Sequence, residues 1–213
     1  MESFNQQITR ISKKLARVVK YKPSKVFGAE GHGFSYWKPL SISDLEEFEA
    51  KYEITLPGGY RAFITQVANG GAGPAYGMFS LYRALKCRLS EIPTKKVIPD
   101  DILKVPFKHT SAYNPDEDDE VIAIFEQADT GEITEEELDN YELYSTAGTL
   151  TLCHEGCGCL HRLVVSGPTR GQMWLDGTSS EQGYHPLNVS FLEWYEKWLD
   201  DVIAGNSGIW WSD

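Results

Sequence analysis

The run "SFLEWYEKWLDDVIAG", Ser190 to Gly205, sets the strongest limit on what this chain can fold into. Phe191, Trp194, Tyr195, Trp198, Leu199 and Val202 recur at the spacing of one helical face, and a face this wide and aromatic must be covered. Ser190 and Glu193 have the spacing of a capping box, and Gly205 supplies a stop. Trp194 and Trp198 are therefore expected to lie on a helix that packs against a sheet.

Candidate strands come from the middle of the chain. "VIAIF" (121–125), "GTLTLC" (148–153), "CLHRLVVSG" (159–167) and "GQMWLDG" (171–177) are short β-rich runs set off by glycine-bearing turns, the rhythm of antiparallel strands. "TEEELDNYEL" (134–143) interrupts them as a short acidic helix or loop. Near the start, Phe4, Ile8, Ile11, Leu15 and Val18 line one face of a helix whose other positions carry Lys13, Lys14, Arg17 and Lys20. Such a helix packs onto the domain or, less readily, lies on a membrane surface. A further helix is expected after Ser43, which has capping-box spacing to Glu46, with Leu45, Phe48 and Tyr52 as its stripe.

"YRAFITQVANGGAGPAYGMFSL" (60–81) runs from a helical stripe, Tyr60, Phe63, Ile64, Val67 and Ala68, into a segment suited to a strand. The glycines end a helix rather than begin one. A phosphate loop needs the opposite order, so the join is read as a turn, with Gly71, Gly73 or both at positive φ. The fold class is thus α+β: a central, mostly antiparallel sheet with helices packed against it, entered by a basic amphipathic N-terminal helix. A length of 213 residues with 41% hydrophobic content suits one domain, residues 1–213. Within it, 1–26 is a helical extension, 27–205 the core and 109–147 an acidic variable region.

The net charge of −11 is local in origin. Residues 109–161 hold 14 Asp or Glu and no Lys or Arg, so the remainder of the chain carries −11 + 14 = +3. Such a patch repels nucleic acid and attracts basic proteins. The expected partner-binding residues are Asp116, Glu117, Asp118, Asp119, Glu120, Asp129, Glu132, Glu135, Glu136 and Glu137. A solvated, solubilising face is the competing reading.

Chemistry-bearing motifs are weak. "CHEGCGCLH" offers Cys153, His154, Cys157, Cys159 and His161, yet ligands two residues apart on a strand step about 7 Å, too far for one tetrahedral ion. No metal is expected. Ser166 lacks the Gly-x-Ser-x-Gly elbow, and "DTGEITEEEL" (129–138) lacks the spacing and central glycine of a calcium loop. His32 and His109 stand alone. No catalytic residues and no cofactor are expected. There is no apolar run of membrane-spanning length and no apolar leader, so the expected place is the cytoplasm, with four cysteines as free thiols.

The combination "FGAEGH" (27–32), "LEEFEAKYEITLPGGYRAFI" (45–64), "NGGAGPAYGMFSL" (69–81), "GTLTLCHEGCG" (148–158), "LVVSGPTRGQMWLD" (163–176) and "FLEWYEKWLDD" (191–201) resembles bacterial members of the SMI/KNR family, in the SUKH superfamily. The resemblance implies an α+β fold, no catalytic residues and a protein-binding role. Many bacterial relatives look like immunity proteins that neutralise toxin domains, often nucleases or deaminases. Fungal relatives act as regulatory interaction modules, the alternative for this chain. The groove beside Asn69–Gly77 is a second candidate contact surface. Residues 109–142 match no family motif.

Overall fold

The computed structural model describes residues 4–211, so the outermost residues of the expected 1–213 domain lie outside it. Among the described residues, seven α-helices precede one sheet and an eighth follows it. They are α1 (Phe4–Tyr21), α2 (Ala29–His32), α3 (Ile42–Lys51), α4 (Gly58–Gln66), α5 (Leu81–Lys86), α6 (Asp119–Thr130), α7 (Glu135–Ser145) and α8 (Phe191–Ile203). The sheet holds β1 (Thr149–Gly156), β2 (Cys159–Val164), β3 (Gln172–Asp176) and β4 (Tyr184–Ser190), in the order β1-β2-β3-β4 and antiparallel throughout. The α+β class with helices packed on an antiparallel sheet is the one expected. "YHPLNVS", which supplies β4, carries Pro186 and only weak alternation, and was not expected to be a strand.

Three local expectations are corrected. "VIAIF" lies inside α6: Asp118 caps the N-terminus through its side chain and Gly131 ends the helix at φ 75°, so its flanks override a β-branched composition. Beyond Gly77, only Met78 and Phe79 are extended, pairing with Gly71 and Leu152; Ser80 then caps α5. Helix α3 starts two residues earlier than expected, because Ser41, not Ser43, accepts from the amide of Asp44 at 3.1 Å. The α8 capping box is present as expected, with Ser190 and Glu193 each bonded to the other's backbone.

Strand alternation gives the sheet two unlike faces. Leu150 pairs with Leu163 and Leu163 with Met173, placing aliphatic side chains together against the helices. Across the same strands Thr151 pairs with Arg162 and Arg162 with Trp174, so the opposite face carries hydroxyls, a guanidinium and an indole. Every residue of β2 is buried, which means both faces are covered. The tip of the β1–β2 hairpin has Cys157 and Gly158 at φ 50° and 77°, the pair of positive angles that a two-residue type I′ turn demands.

On the aliphatic face, α8 buries Phe191, Leu192, Trp194, Tyr195, Trp198, Leu199 and Val202. Trp194 meets the sheet as expected, its ring 5.5 Å from that of His161 on β2. Trp198 is fully buried in the same core, with His32 and Tyr195 as its ring neighbours. Helix α1 covers α8 with Ile8, Ile11, Leu15 and Val18, while Phe4, expected on the same face, is half exposed. Helix α1 thus contributes side chains to the main core and is no appendage to it.

Glu196 fixes that contact. It is nearly buried on α8 and accepts from Arg10 Nε at 2.5 Å, Arg10 Nη2 at 2.7 Å and Lys14 Nζ at 2.8 Å. Burial alone would raise its pKa, but the cations of α1 outweigh it and hold the carboxyl at about 2. A depressed folded-state pKa contributes stability above the unfolded value, near 4.3, and that contribution is lost as pH falls toward 2. Glu196→Gln is therefore expected to destabilise by about 1–3 kcal/mol at pH 7. In denaturant titrations the gap to wild type should narrow steadily below pH 4; a gap independent of pH would show that Glu196 acts by packing alone.

On the polar face, Arg162 is fully buried and donates to Asp176 Oδ2 at 2.6 Å, Thr151 Oγ1 at 2.9 Å and the Arg88 carbonyl at 2.5 Å. Removing one partner of a buried pair strands the other, so Arg162→Met should cost about 3–5 kcal/mol. The double variant Arg162→Met with Asp176→Leu should recover much of that loss in urea unfolding. If the double variant is as unstable as the single one, the stranded carboxylate is not the cause.

Candidate functional site

Residues 113–147 return to the polar face of the sheet and roof it. Tyr113 pairs with Tyr184 on β4 through both backbone groups, which anchors the segment at the sheet edge. A 3₁₀ turn at Pro115–Glu117 leads into α6, and residues 131–134 connect α6 to α7. Phe125 of α6 meets Tyr141 of α7 edge-on at 6.3 Å, so the two helices form an antiparallel hairpin. The anchoring is light: α6 fully buries only Val121, and α7 only Leu143.

The ten expected partner-binding acids all lie on this hairpin and its approach, but in two clusters. Asp116, Glu117, Asp118, Asp119 and Glu120 gather at the start of α6; Asp129, Glu132, Glu135, Glu136 and Glu137 gather at the tip where α6 passes to α7. Helix α6 has 12 residues, which separates the clusters by about 18 Å. All but Asp118 are exposed.

Some of these acids have local work. Asp118 accepts from the Tyr113 hydroxyl at 2.7 Å and caps α6 through the Glu120 amide at 3.0 Å, and the Tyr113 bond holds its pKa below the usual carboxylate range. Glu137 closes a capping box with Thr134, whose backbone and hydroxyl likewise lower its pKa. Asp119, Glu120, Glu135 and Glu136 sit in first helical turns, where the helix dipole favours a negative charge on its own account. Asp129 and Glu132 have neither explanation. The segment's own lack of cations is relieved from outside by Lys96, which bridges to Asp139, and by Lys108, whose ammonium lies 5.7 Å from the Tyr113 ring centre.

Beneath the hairpin lies a cavity of about 530 Å³ that was not foreseen. Its sheet side is an aromatic cluster: His109 stacks on Tyr113 at 4.2 Å and on Tyr184 at 5.5 Å, and Phe107 lies edge-on to Trp174 at 5.2 Å. Burial keeps His109 neutral, with a pKa lowered to about 4. Phe125, Tyr141, Tyr144 and Glu142 line the hairpin side. Behind the floor sit two buried guanidiniums. Arg162 is matched by Asp176, whereas Arg88 has carbonyl and hydroxyl acceptors only: Thr149 O at 2.5 Å, Thr146 Oγ1 at 2.8 Å and Thr146 O. Burial, with Arg162 nearby, lowers the Arg88 pKa to about 9, which still leaves it charged at pH 7. A single Arg inside the apolar run "CLHRLVV" was the available sign of a buried ion pair on this face. The aromatic lining comes from four separate stretches of the chain, at 107–113, 125, 141–144 and 184, and has no local signature.

The Asn69–Gly77 join is structural in its backbone. Gly71 lies at φ 99°, and a Cβ there would fall 2.5 Å from Tyr36 Cα; Gly73 keeps an ordinary φ and is limited by the Met78 side chain. The amides of Gly71, Ala72, Tyr76 and Gly77 donate to Met78, Ser35, His154 and Pro74 carbonyls, so they are not available to cradle an anion. Asn69 caps α5 by accepting from the Leu81 amide at 3.0 Å. Beside the join is a smaller groove of about 250 Å³, where Tyr76 stacks on His154 at 4.8 Å and Trp37 stands at the rim. Burial lowers the pKa of both His32 and His154, to about 4 for His32.

The cysteine cluster does not assemble. Cys153 is buried, Cys157 is exposed in the hairpin turn, and His161 is buried against Glu155 at 3.2 Å. Among the described residues, no group of three or more His, Cys, Asp or Glu side chains is placed to hold a metal. No described helix is long and apolar enough to cross a membrane. Comparison with family models, with curated proteins and with solved structures returns no match.

Proposed function

We propose that this chain is a non-enzymatic protein-binding module that neutralises a basic protein domain by stoichiometric contact, in the manner of a cytoplasmic immunity protein acting on a bacterial toxin. One observation carries the reading. The hairpin of α6 and α7 presents two exposed acidic clusters about 18 Å apart, and Asp129 and Glu132 among them have no capping or dipole role in the fold. A toxin domain that holds phosphate, such as a nuclease, is basic where it binds its substrate. Two acidic clusters at fixed spacing would meet such a face at two points, which steers encounter and sets orientation.

The test uses acids that are free of capping duty. Asp116→Asn, Asp129→Asn, Glu132→Gln and Glu136→Gln combined should leave thermal unfolding within a few degrees of wild type. The same variant should slow association with the captured partner at least about tenfold at low salt, with little change in dissociation. The difference should shrink as the Debye length falls toward about 8 Å. Stopped-flow kinetics at several ionic strengths measures this. Equal association rates for the two proteins would reduce the acids to helix capping and solubility, and would move the search to the groove beside Asn69–Gly77.

A further inference from the structure

The cavity under the hairpin has a composition that narrows its ligand. Its volume of about 530 Å³ is of small-molecule size. Its walls are ring faces and edges: Phe107, Tyr113 and Tyr184 on the sheet side, Phe125 and Tyr141 on the hairpin side. Ring faces attract cations, and Lys108 already lies 5.7 Å from the Tyr113 centroid at the edge of this space.

The charged groups nearest this space differ in how far their hydrogen bonding is met. Asp176 is taken up by Arg162 and by Thr178, whose backbone and hydroxyl bond its second oxygen at 3.1 and 2.7 Å. Arg88, behind the floor, donates from its two Nη atoms to oxygens of Thr146 and Thr149, while its buried Nε has no hydrogen-bond partner among the described residues. Glu142 differs. Its carboxylate is half-buried in the cavity wall and, among the described residues, has no hydrogen bond or ion pair. Burial, and after it the nearby Asp139, raises its pKa against the opposing charge of Lys96, which is itself bridged to Asp139.

We infer that this cavity binds an organic cation, an ammonium or guanidinium on an apolar stem, with the stem between the aromatic walls and the N–H groups donating to Glu142. Two sources share that chemistry: a free amine or guanidine, and a lysine or arginine side chain of a bound protein. The second source rests on the partner reading above; the first does not. Aromatic walls supply the apolar contact and the ring quadrupole, and Glu142 supplies an acceptor whose desolvation is already part of the fold.

Titration by calorimetry, with ring resonances of the cavity followed by NMR, tests the inference on the full chain. The probes are phenethylamine, agmatine and an oligolysine peptide, with 2-phenylethanol as the uncharged control. At least one cation is expected to bind with a Kd below about 1 mM. Glu142→Gln should weaken it at least about fivefold while the unfolding temperature holds, and 2-phenylethanol should not compete. Phe125→Leu, on the exposed side of the wall, should weaken it too and serves if Glu142→Gln folds poorly. Binding of free amines that survives neutralisation of the acidic clusters assigns a small-molecule site. Binding of the peptide alone, lost in Glu142→Gln, assigns a docked side chain. Absence of binding by every cation, equal binding of the alcohol, or peptide binding that depends on the acidic clusters and ignores Glu142 would overturn the inference. The last of these outcomes would leave the partner reading standing.

Discussion

Arg162 is the interaction on which the polar half of the molecule depends. Its guanidinium reaches across from β2 to Asp176 on β3 and Thr151 on β1 and donates to the Arg88 carbonyl, so one side chain ties three strands and a loop. A fully buried charge is tolerated only with this degree of hydrogen bonding, and charge-assisted bonds of fixed geometry also set register. Arg88 extends the network to Thr146 and Thr149, which form the end of the α7 segment and the start of β1. The sheet therefore cannot be covered on this side by an ordinary aliphatic layer. Its cover is a polar and aromatic layer that leaves the cavity beneath it.

The other face follows a different rule. There α8 lays its aromatic residues on the sheet, α1 closes over α8, and Tyr195 donates its hydroxyl to the Ala72 carbonyl at 2.7 Å. That bond reaches the glycine join, which is itself bonded to β1 through the Phe79 amide at 2.7 Å. The join is thus held between α8 and the sheet edge. Its close approaches explain a glycine at position 71 without recourse to a ligand.

Much of this was legible where period and caps agree. The α8 stripe with its Ser190–Glu193 box, the α4 stripe and the β1–β2 hairpin are all strongly patterned locally. "VIAIF" was misread because five apolar residues of high β propensity say nothing of period, while the deciding information lay in Asp118 and Gly131 at its flanks. Strand β4 was missed for the converse reason: its burial is partial, and its pairing with β3 outweighs a proline that sequence reading treats as a breaker. The acidic residues were visible as a run, but their division into two clusters depends on the hairpin, and the cavity depends on rings from Phe107 to Tyr184 that only the tertiary fold collects.

The acidic hairpin reconciles two demands that pull against each other. Like charges repel, yet six of the ten expected acids occupy N-caps or first turns, where unpaired backbone N–H groups offset that repulsion within the fold itself. The chain can therefore carry a dense negative surface on helices that bury little, without cations of its own in the segment. What the caps do not offset is the charge of Asp129 and Glu132 at the tip and of Glu142 at the cavity wall. These are the places where an external cation gains most, the first two from solvent and the third within a partly desolvated aromatic enclosure. Protein contact at the tip and cation binding beneath the hairpin would draw on separate charges of one element, the α6–α7 pair, through which one could influence the other.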